Sequence, residues 1–397
     1  MSEVPDPIVH RYLELGLRLG RHIDGLVDAY YGPESIAAAV AAEPIQQPGR
    51  LTADARRLVA DLDSGVGSEL SATRRRWLRG QTLGLSTVAA KLAGEDIGYR
   101  DEVAACYGVR PQFVDESELE AAHRRLDESL SGSGPLLDRL TSFRDAHAVP
   151  IDRLGAVIED LSRDFRERTD LMFGLPEGEH VDFELVESQP WSGFNYYLGS
   201  LQSRVAINTD LPVLSTSIGH LVAHEAYPGH HTEHSRKEAG LVRRADQREE
   251  SIFLVGTPQC LLAEGLADLG IEILLGDSKL GVVGEHLEHH RVRYDLEAVE
   301  AVEAFGEVSS RARGNLGILL HEEHRAADEV VGYAERWLLL DRPRAAKSVD
   351  FLMDPTWRAY ISCYVEGLPL CRSFTAGEPA RFERLLTEQL LPEDLAA

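Results

Sequence analysis

The sequence predicts a mainly α-helical protein with a small β-sheet set just before a histidine-rich segment. Three observations carry this. Apolar residues recur at three- and four-residue steps through roughly the first 175 positions. Gly, Pro and Ser cut those stretches into helix-sized pieces. Only two short stretches after Pro176 alternate apolar and polar residues with the period of a strand.

In chain order, Ile8, Tyr12, Leu15, Leu19 and Ile23 share one face of a helix over about 6–26, and Tyr31-Gly32-Pro33 ends that run. Helical patterns follow over 51–62, 69–92, 117–130, 136–146 and 151–171. No fixed-period repeat, low-complexity tract or long linker interrupts them. We therefore expect one unit over 1–397, with a helical scaffold over about 1–175 and a chemically active half over about 176–397; the loop 131–135 is the best place for a division. Strands are expected at Val181–Val186 and Ser203–Asn208, with the aromatic stretch 191–197 between them. Such a sheet either closes the core or offers an edge for an extended chain to pair with.

Composition narrows the function. A net charge of −25 and a pI near 5.0 argue against nucleic acid or an anionic membrane as partner, since both call for basic patches. Cys106, Cys260, Cys363 and Cys371 form no CxxC pair and are expected to be reduced. Residues 1–12 hold no apolar signal-like run, and no 18-residue uncharged apolar stretch follows, so a cytoplasmic location is expected. No G-x-S-x-G, Walker A or G-x-G-x-x-G pattern is present, which removes the minimal signatures of the corresponding hydrolases, NTPases and oxidoreductases.

Five of the 15 histidines fall between positions 220 and 234: His220, His224, His230, His231 and His234. Imidazole is the commonest transition-metal ligand, so this density marks a candidate metal site. His224-Glu225 begins like the zinc-protease H-E-x-x-H helix, yet the position four residues on is Pro228. In an unbroken helix His230 would face away, and His231 would sit roughly 10 Å further along. Pro228 and Gly229 predict a kink or bulge, which could absorb two residues and return His230 to the metal side. The expectation is therefore His224 and His230 as ligands, His231 as fallback and Glu225 as general base; His220 with His224 is a rival pair at helical spacing. His234 reads as a solvated residue. Asp210-Leu211-Pro212 reads as the start of the helix that carries His224.

The stretch HEAYPGHH, with the later AEGLADL, resembles the bacterial family called domain of unknown function 885, grouped with zinc metallopeptidases whose third ligand is a Glu. The similarity runs from Val27-Asp28-Ala29-Tyr30-Tyr31-Gly32-Pro33 to the segment around Tyr364. It implies a large helical metallopeptidase-like fold with a small sheet beside the active-site helix. The family's substrates are largely undefined, so the resemblance implies a site more than a reaction; a peptide or small amide is the expected substrate.

A site that stays open to water needs a third protein ligand. Thr257-Pro258 can start a helix in which Glu264 and Asp268 lie four apart inside an apolar surround. Buried acids need a cation or a donor, so Glu264 is expected as third ligand and Asp268 as the acceptor that orients a ligand imidazole; an exposed acidic stripe is the plainer alternative. Two imidazoles and a carboxylate suit Zn²⁺. A long helix over 316–340 carries His321, which resembles a family position near the cleft. Asp354-Pro355 opens a last helix whose stripe Trp357, Tyr360, Ile361, Tyr364 and Leu368 reads first as core. Tyr364, followed by Gly367, resembles the family's Tyr-x-x-Gly and is expected to donate to the oxyanion, with Tyr360 and Arg358 behind it. The expected activity is zinc-dependent peptide hydrolysis. The alternatives are hydrolysis of non-peptide amides or esters, or metal binding without hydrolysis.

Overall fold

The computed structural model describes residues 6–65, 69–189 and 191–396. The first five residues of the leading stretch considered above lie outside them. Asp6 starts the first helix, α1 (Pro7–Gly20), by accepting the Ile8 N–H at 2.8 Å, with Pro7 in the first turn where no donor is missed. Seven more helices complete the first half: α2 (Glu34–Ala42), α3 (Pro48–Ser64), α4 (Ala72–Leu92), α5 (Tyr99–Tyr107), α6 (Glu116–Ser129), α7 (Leu136–Ala146) and α8 (Ile151–Phe173). Between α1 and α2 the chain turns extended, and β1 (Val27–Tyr30) pairs antiparallel with a distant β5 (Ile252–Leu254). That ladder had no signal in the sequence, because its partners are more than two hundred residues apart.

The sheet before the histidine segment has three strands, β2 (His180–Val186), β3 (Gly193–Gly199) and β4 (Gln202–Asn208), in the order β2-β4-β3. β2 runs parallel to β4, with Phe183 opposite Val205, and β3 runs antiparallel to β4, with Asn195 opposite Val205. Val205 and Ile207 are fully buried against Ile218, Val222 and Ala223, so the sheet packs on the helix that carries His224. The aromatic stretch expected between two strands is itself an edge strand.

That helix, α9 (Ile218–Glu225), starts later than expected. Asp210 instead caps the loop after β2, accepting the N–H groups of Ser188 (3.0 Å) and Gln189 (3.2 Å). α10 (His230–Lys237) follows at once, and α11 (Pro258–Leu275) is the central pillar. α11 is apolar and buried on every face over most of its length, as a helix wrapped by others must be. α12 (Lys279–His289), α13 (Leu296–His321), α14 (Ala327–Trp337), α15 (Arg342–Met353) and α16 (Ile361–Thr375) complete the second half, with α17 (Pro379–Thr387) and α18 (Pro392–Leu395) closing it. The run over 316–340 is thus two helices, broken just after His321, and the last long helix begins at Ile361 rather than at Asp354.

One apolar cluster joins Ala29, Tyr99 and Val103 to Cys260, Leu261 and Cys363. Another joins Tyr12, Leu78 and Trp77 to Ile252 and Leu254. Both draw on positions from each end of the sequence. No helix among the described residues is long and apolar enough to cross a membrane.

Candidate metal centre

The centre is built on a break in a helix. α9 stops at Glu225, and two hydrogen bonds carry the chain across the gap: Gly229 N–H to Ala223 O at 2.9 Å and Thr232 N–H to Ala226 O at 3.2 Å, each six residues back instead of four. Two residues are therefore absorbed. Gly229 is obligatory at this crossing, because a Cβ there would lie 1.9 Å from His224 O and 2.5 Å from Ala223 O. The bend sets His230 beside His224, their Nε2 atoms 3.1 Å apart.

Glu264 of α11 faces the same point, with Oε2 3.6 Å from His224 Nε2 and 3.9 Å from His230 Nε2. Ligand atoms held at about 2.0–2.1 Å around one tetrahedral ion lie about 3.4 Å from each other, so the three fit a shared Zn²⁺. Glu264 Oε2 is buried and accepts no hydrogen bond among the described residues. A carboxylate oxygen left so is costly unless a cation takes it.

Asp268, one turn on in α11, accepts from His224 Nδ1 at 2.8 Å, which leaves Nε2 facing the other two groups. His220 also reaches Asp268 Oδ1, at 3.3 Å. The rival His220–His224–Asp268 grouping is close in space. Its carboxylate already accepts from His224, and His220 is half-exposed.

The electrostatics show groups that share too little compensation. Burial would lower the His224 pKa, but the hydrogen bond and charge of Asp268, with Glu225 and Glu264 behind, raise it to about 10. Burial raises Glu264 to about 8 despite His224, and burial with the His224 charge holds His230 well below the usual range.

Glu225 ends α9 under the edge strand. A Cβ on Gly193 of β3 would come within 3.0 Å of its Oε1, and Asn195 Nδ2 donates to its carbonyl at 2.6 Å. Burial raises the Glu225 carboxyl, against the pull of His224 and His220.

The opposite wall comes from the turn before α16 and its first helical turn. α11 and α16 cross at Gly265 and Gly367, where a Cβ on Gly265 would sit 2.4 Å from Gly367 O. That close approach lets Tyr360 donate to Glu264 Oε1 at 3.0 Å, while Tyr364 donates to the Tyr360 hydroxyl at 3.3 Å. The expected core stripe therefore in part lines the candidate site, and Tyr360 touches the Glu264 carboxylate more directly than Tyr364.

Four expectations are corrected. His231 faces away from the trio: Nε2 donates to Glu179 Oε2 and Nδ1 accepts from Ser203 Oγ, both at 2.8 Å. It is not the fallback ligand and hydrogen-bonds no member of the trio, because the bend turns adjacent residues to opposite sides. His321 donates to Leu352 O at 2.7 Å and packs on the Tyr99 ring, with no polar contact to the trio. Arg358 is spent on Glu102 (2.7 Å) and Ile97 O (2.8 Å). His234 is buried, stacked on Tyr197 at 4.8 Å between centroids.

Sequence reasoning missed Glu179. It lies in the turn before β2 and accepts from Tyr227 of the bend (2.7 Å), from His231 (2.8 Å) and from Arg166 of α8 (2.7 Å). Burial would raise its pKa, but His231, Tyr227 and Arg166 lower it to about 2. A lone Glu in a polar turn carries no signal of this. A cavity of about 530 Å³ lined by Phe173, Leu175, Arg236 and Arg244 shares no residue with the trio.

No family model matches the chain, and no curated protein matches it in sequence. Among solved structures it is similar to a protein of Colwellia psychrerythraea provisionally described as a lipoprotein, at 12% identity and a TM-score of 0.54, covering 87% of this chain. The chain spans 65% of that protein's length. That likeness shows a shared fold. A provisionally described lipoprotein of unknown function from Shewanella oneidensis (11% identity, TM-score 0.47, 91% of this chain and 74% of that one) is also similar. So is an M32 carboxypeptidase from Deinococcus radiodurans R1 (15%, 0.41, 95% and 88%). These two superpose too loosely to support more.

Proposed function

We propose that this protein is a zinc-dependent hydrolase that cleaves peptide amide bonds, and that 1–397 works as one unit. The observation that carries the reading is the trio His224 Nε2, His230 Nε2 and Glu264 Oε2, mutually 3.1–3.9 Å apart, with a buried carboxylate oxygen that has no hydrogen-bond partner among the described residues. Zinc would supply Lewis-acid polarisation of a water and of the substrate carbonyl. Asp268 fixes the His224 tautomer. Glu225, directly after His224 in the chain and with its carboxyl raised by burial, would take the proton of the attacking water and return it to the leaving amine. Tyr360 and Tyr364 line the wall from which a hydroxyl can donate to the oxyanion. The free edge of β3, beside Glu225, offers backbone pairing to an extended peptide. The resemblance of HEAYPGHH to the domain of unknown function 885 family supports the same reading.

Elemental analysis of purified protein tests it: one zinc per chain is expected in the wild type and in Glu225→Gln, and none in His230→Ala or Glu264→Ala. Peptide hydrolysis by Glu225→Gln is expected to fall about 10²- to 10⁴-fold with zinc retained. Undiminished hydrolysis in that variant would remove Glu225 as the base, and zinc retained in both ligand variants would remove the site.

A further inference from the structure

The link between α15 and α16, residues 354–360, is a run of turns that begins on the surface, with Asp354, Pro355 and Thr356 exposed. Exposed links are ordinarily the most mobile parts of a fold. This one is gripped along its length. His321, at the end of α13, donates to Leu352 O at 2.7 Å, just ahead of the link. Lys91 of α4 donates to Pro355 O and to the Glu102 carboxylate of α5. Arg358, in the link itself, donates to Glu102 Oε2 at 2.7 Å and to Ile97 O at 2.8 Å. Glu102 is thus a buried carboxylate shared by two cations, and both cations reach on to backbone carbonyls. Burying ionised groups costs desolvation that their pairing only in part returns, so such a cluster is a poor source of stability. What it fixes is the course of the link.

Tyr360 ends that link. It caps α16 from outside the helix, and its N–H is bonded to Trp357 O at 2.9 Å, so its backbone follows the turn that contains Arg358. Its hydroxyl donates to Glu264 Oε1 at 3.0 Å, while Oε2 is the oxygen that faces His224 and His230. The bond therefore selects which carboxylate oxygen is turned to the candidate metal position. Tyr364 lies one turn inside α16, where the helix holds it, and it reaches only the Tyr360 hydroxyl.

We propose that Arg358 is a positioning residue for Glu264. Anchored with Lys91 on Glu102, it sets Tyr360, and Tyr360 sets the ligand carboxylate. This rests on the zinc-hydrolase reading above and adds how the third ligand is aimed. The path runs from α5 through the link to α11, and each step in it is a hydrogen bond or a turn of backbone.

Zinc affinity, read by competition with a chromophoric chelator, tests this without turnover in wild type, R358M, K91M, Y360F and the double variant R358M/Y360F. R358M and K91M each remove one cation and leave the other paired with Glu102, so neither strands a buried charge. Y360F is expected to weaken zinc binding about 10- to 100-fold and R358M about 10-fold, with K91M affected less than R358M. The double variant is expected to bind zinc within about threefold of Y360F alone, because both substitutions break one path. Losses that multiply in the double variant would mean that Arg358 does not act through Tyr360, and they overturn the proposal. Wild-type affinity in folded R358M overturns it as well; if R358M does not fold, wild-type affinity in K91M does so. Wild-type affinity in Y360F removes the last step of the path and the proposal with it, while the metal site stands. Failure of the wild type to bind zinc removes the metal-site reading, and this inference falls with it.

Discussion

His230 and His231 are neighbours in sequence and opposites in chemistry. On the front of the bend, His230 meets His224 and Glu264, and the buried Glu264 Oε2 has no hydrogen-bond partner among the described residues. On the back, His231 has both ring nitrogens engaged, by Glu179 and Ser203, and Glu179 in turn holds Tyr227 and Arg166. The two clusters use the same residue types. What separates a candidate metal site from an anchor here is whether the polar valences close among themselves. The back cluster is closed, and its work is to pin the bend that the front cluster needs.

This contrast breaks most visibly at the two histidines. His224→Ala is expected to lose stoichiometric zinc and to lower peptide hydrolysis by more than about 10³-fold. His231→Ala is expected to unfold more easily while still binding one zinc per folded chain. Paired elemental analysis and urea titrations read both; zinc lost from a folded His231→Ala protein would erase the distinction.

A second test uses pH. The Glu179 pKa is lowered from 4.5 to about 2, and that of His231 is lowered from 6.5. Both groups bind protons more readily unfolded than folded, so the stability they confer is complete above about 6.5 and declines as pH falls toward 2. The gap in unfolding free energy between wild type and Glu179→Gln is expected to be on the order of 3 kcal/mol at pH 7 and to narrow below pH 4.5. Urea unfolding at pH 7, 5, 4 and 3 measures it, and a gap that does not change with pH would mean that Glu179 does not act as an ionised anchor.

The smallest effect sharpens the front side alone. Asp268→Asn keeps the shape of the acceptor but weakens its hold on the His224 Nδ1–H, and zinc affinity is expected to drop about 10- to 100-fold. Competition with a chromophoric chelator gives that number. An unchanged affinity would leave His224 oriented by packing alone.

The helical scaffold was legible because apolar periodicity is local: α1, α3, α4, α6, α7 and α8 all fall on stretches whose spacing alone predicts them. Two of the three sheet strands were legible for the same reason. The β1–β5 ladder was not, since neither short segment stabilises itself and each is extended only because the other is there. The same division runs through the site. Residue identity and spacing determined that His224, Glu225, His230, Glu264 and Asp268 were the groups to consider, because Pro228-Gly229 cannot continue a helix and two acids inside an apolar helix need a reason. Sequence could not decide which way each imidazole turned, which tyrosine reached Glu264, or that Glu179 holds the back of the bend. Those depend on contacts between segments far apart in the chain and on a glycine crossing of α11 with α16. Only the folded packing sets such distances.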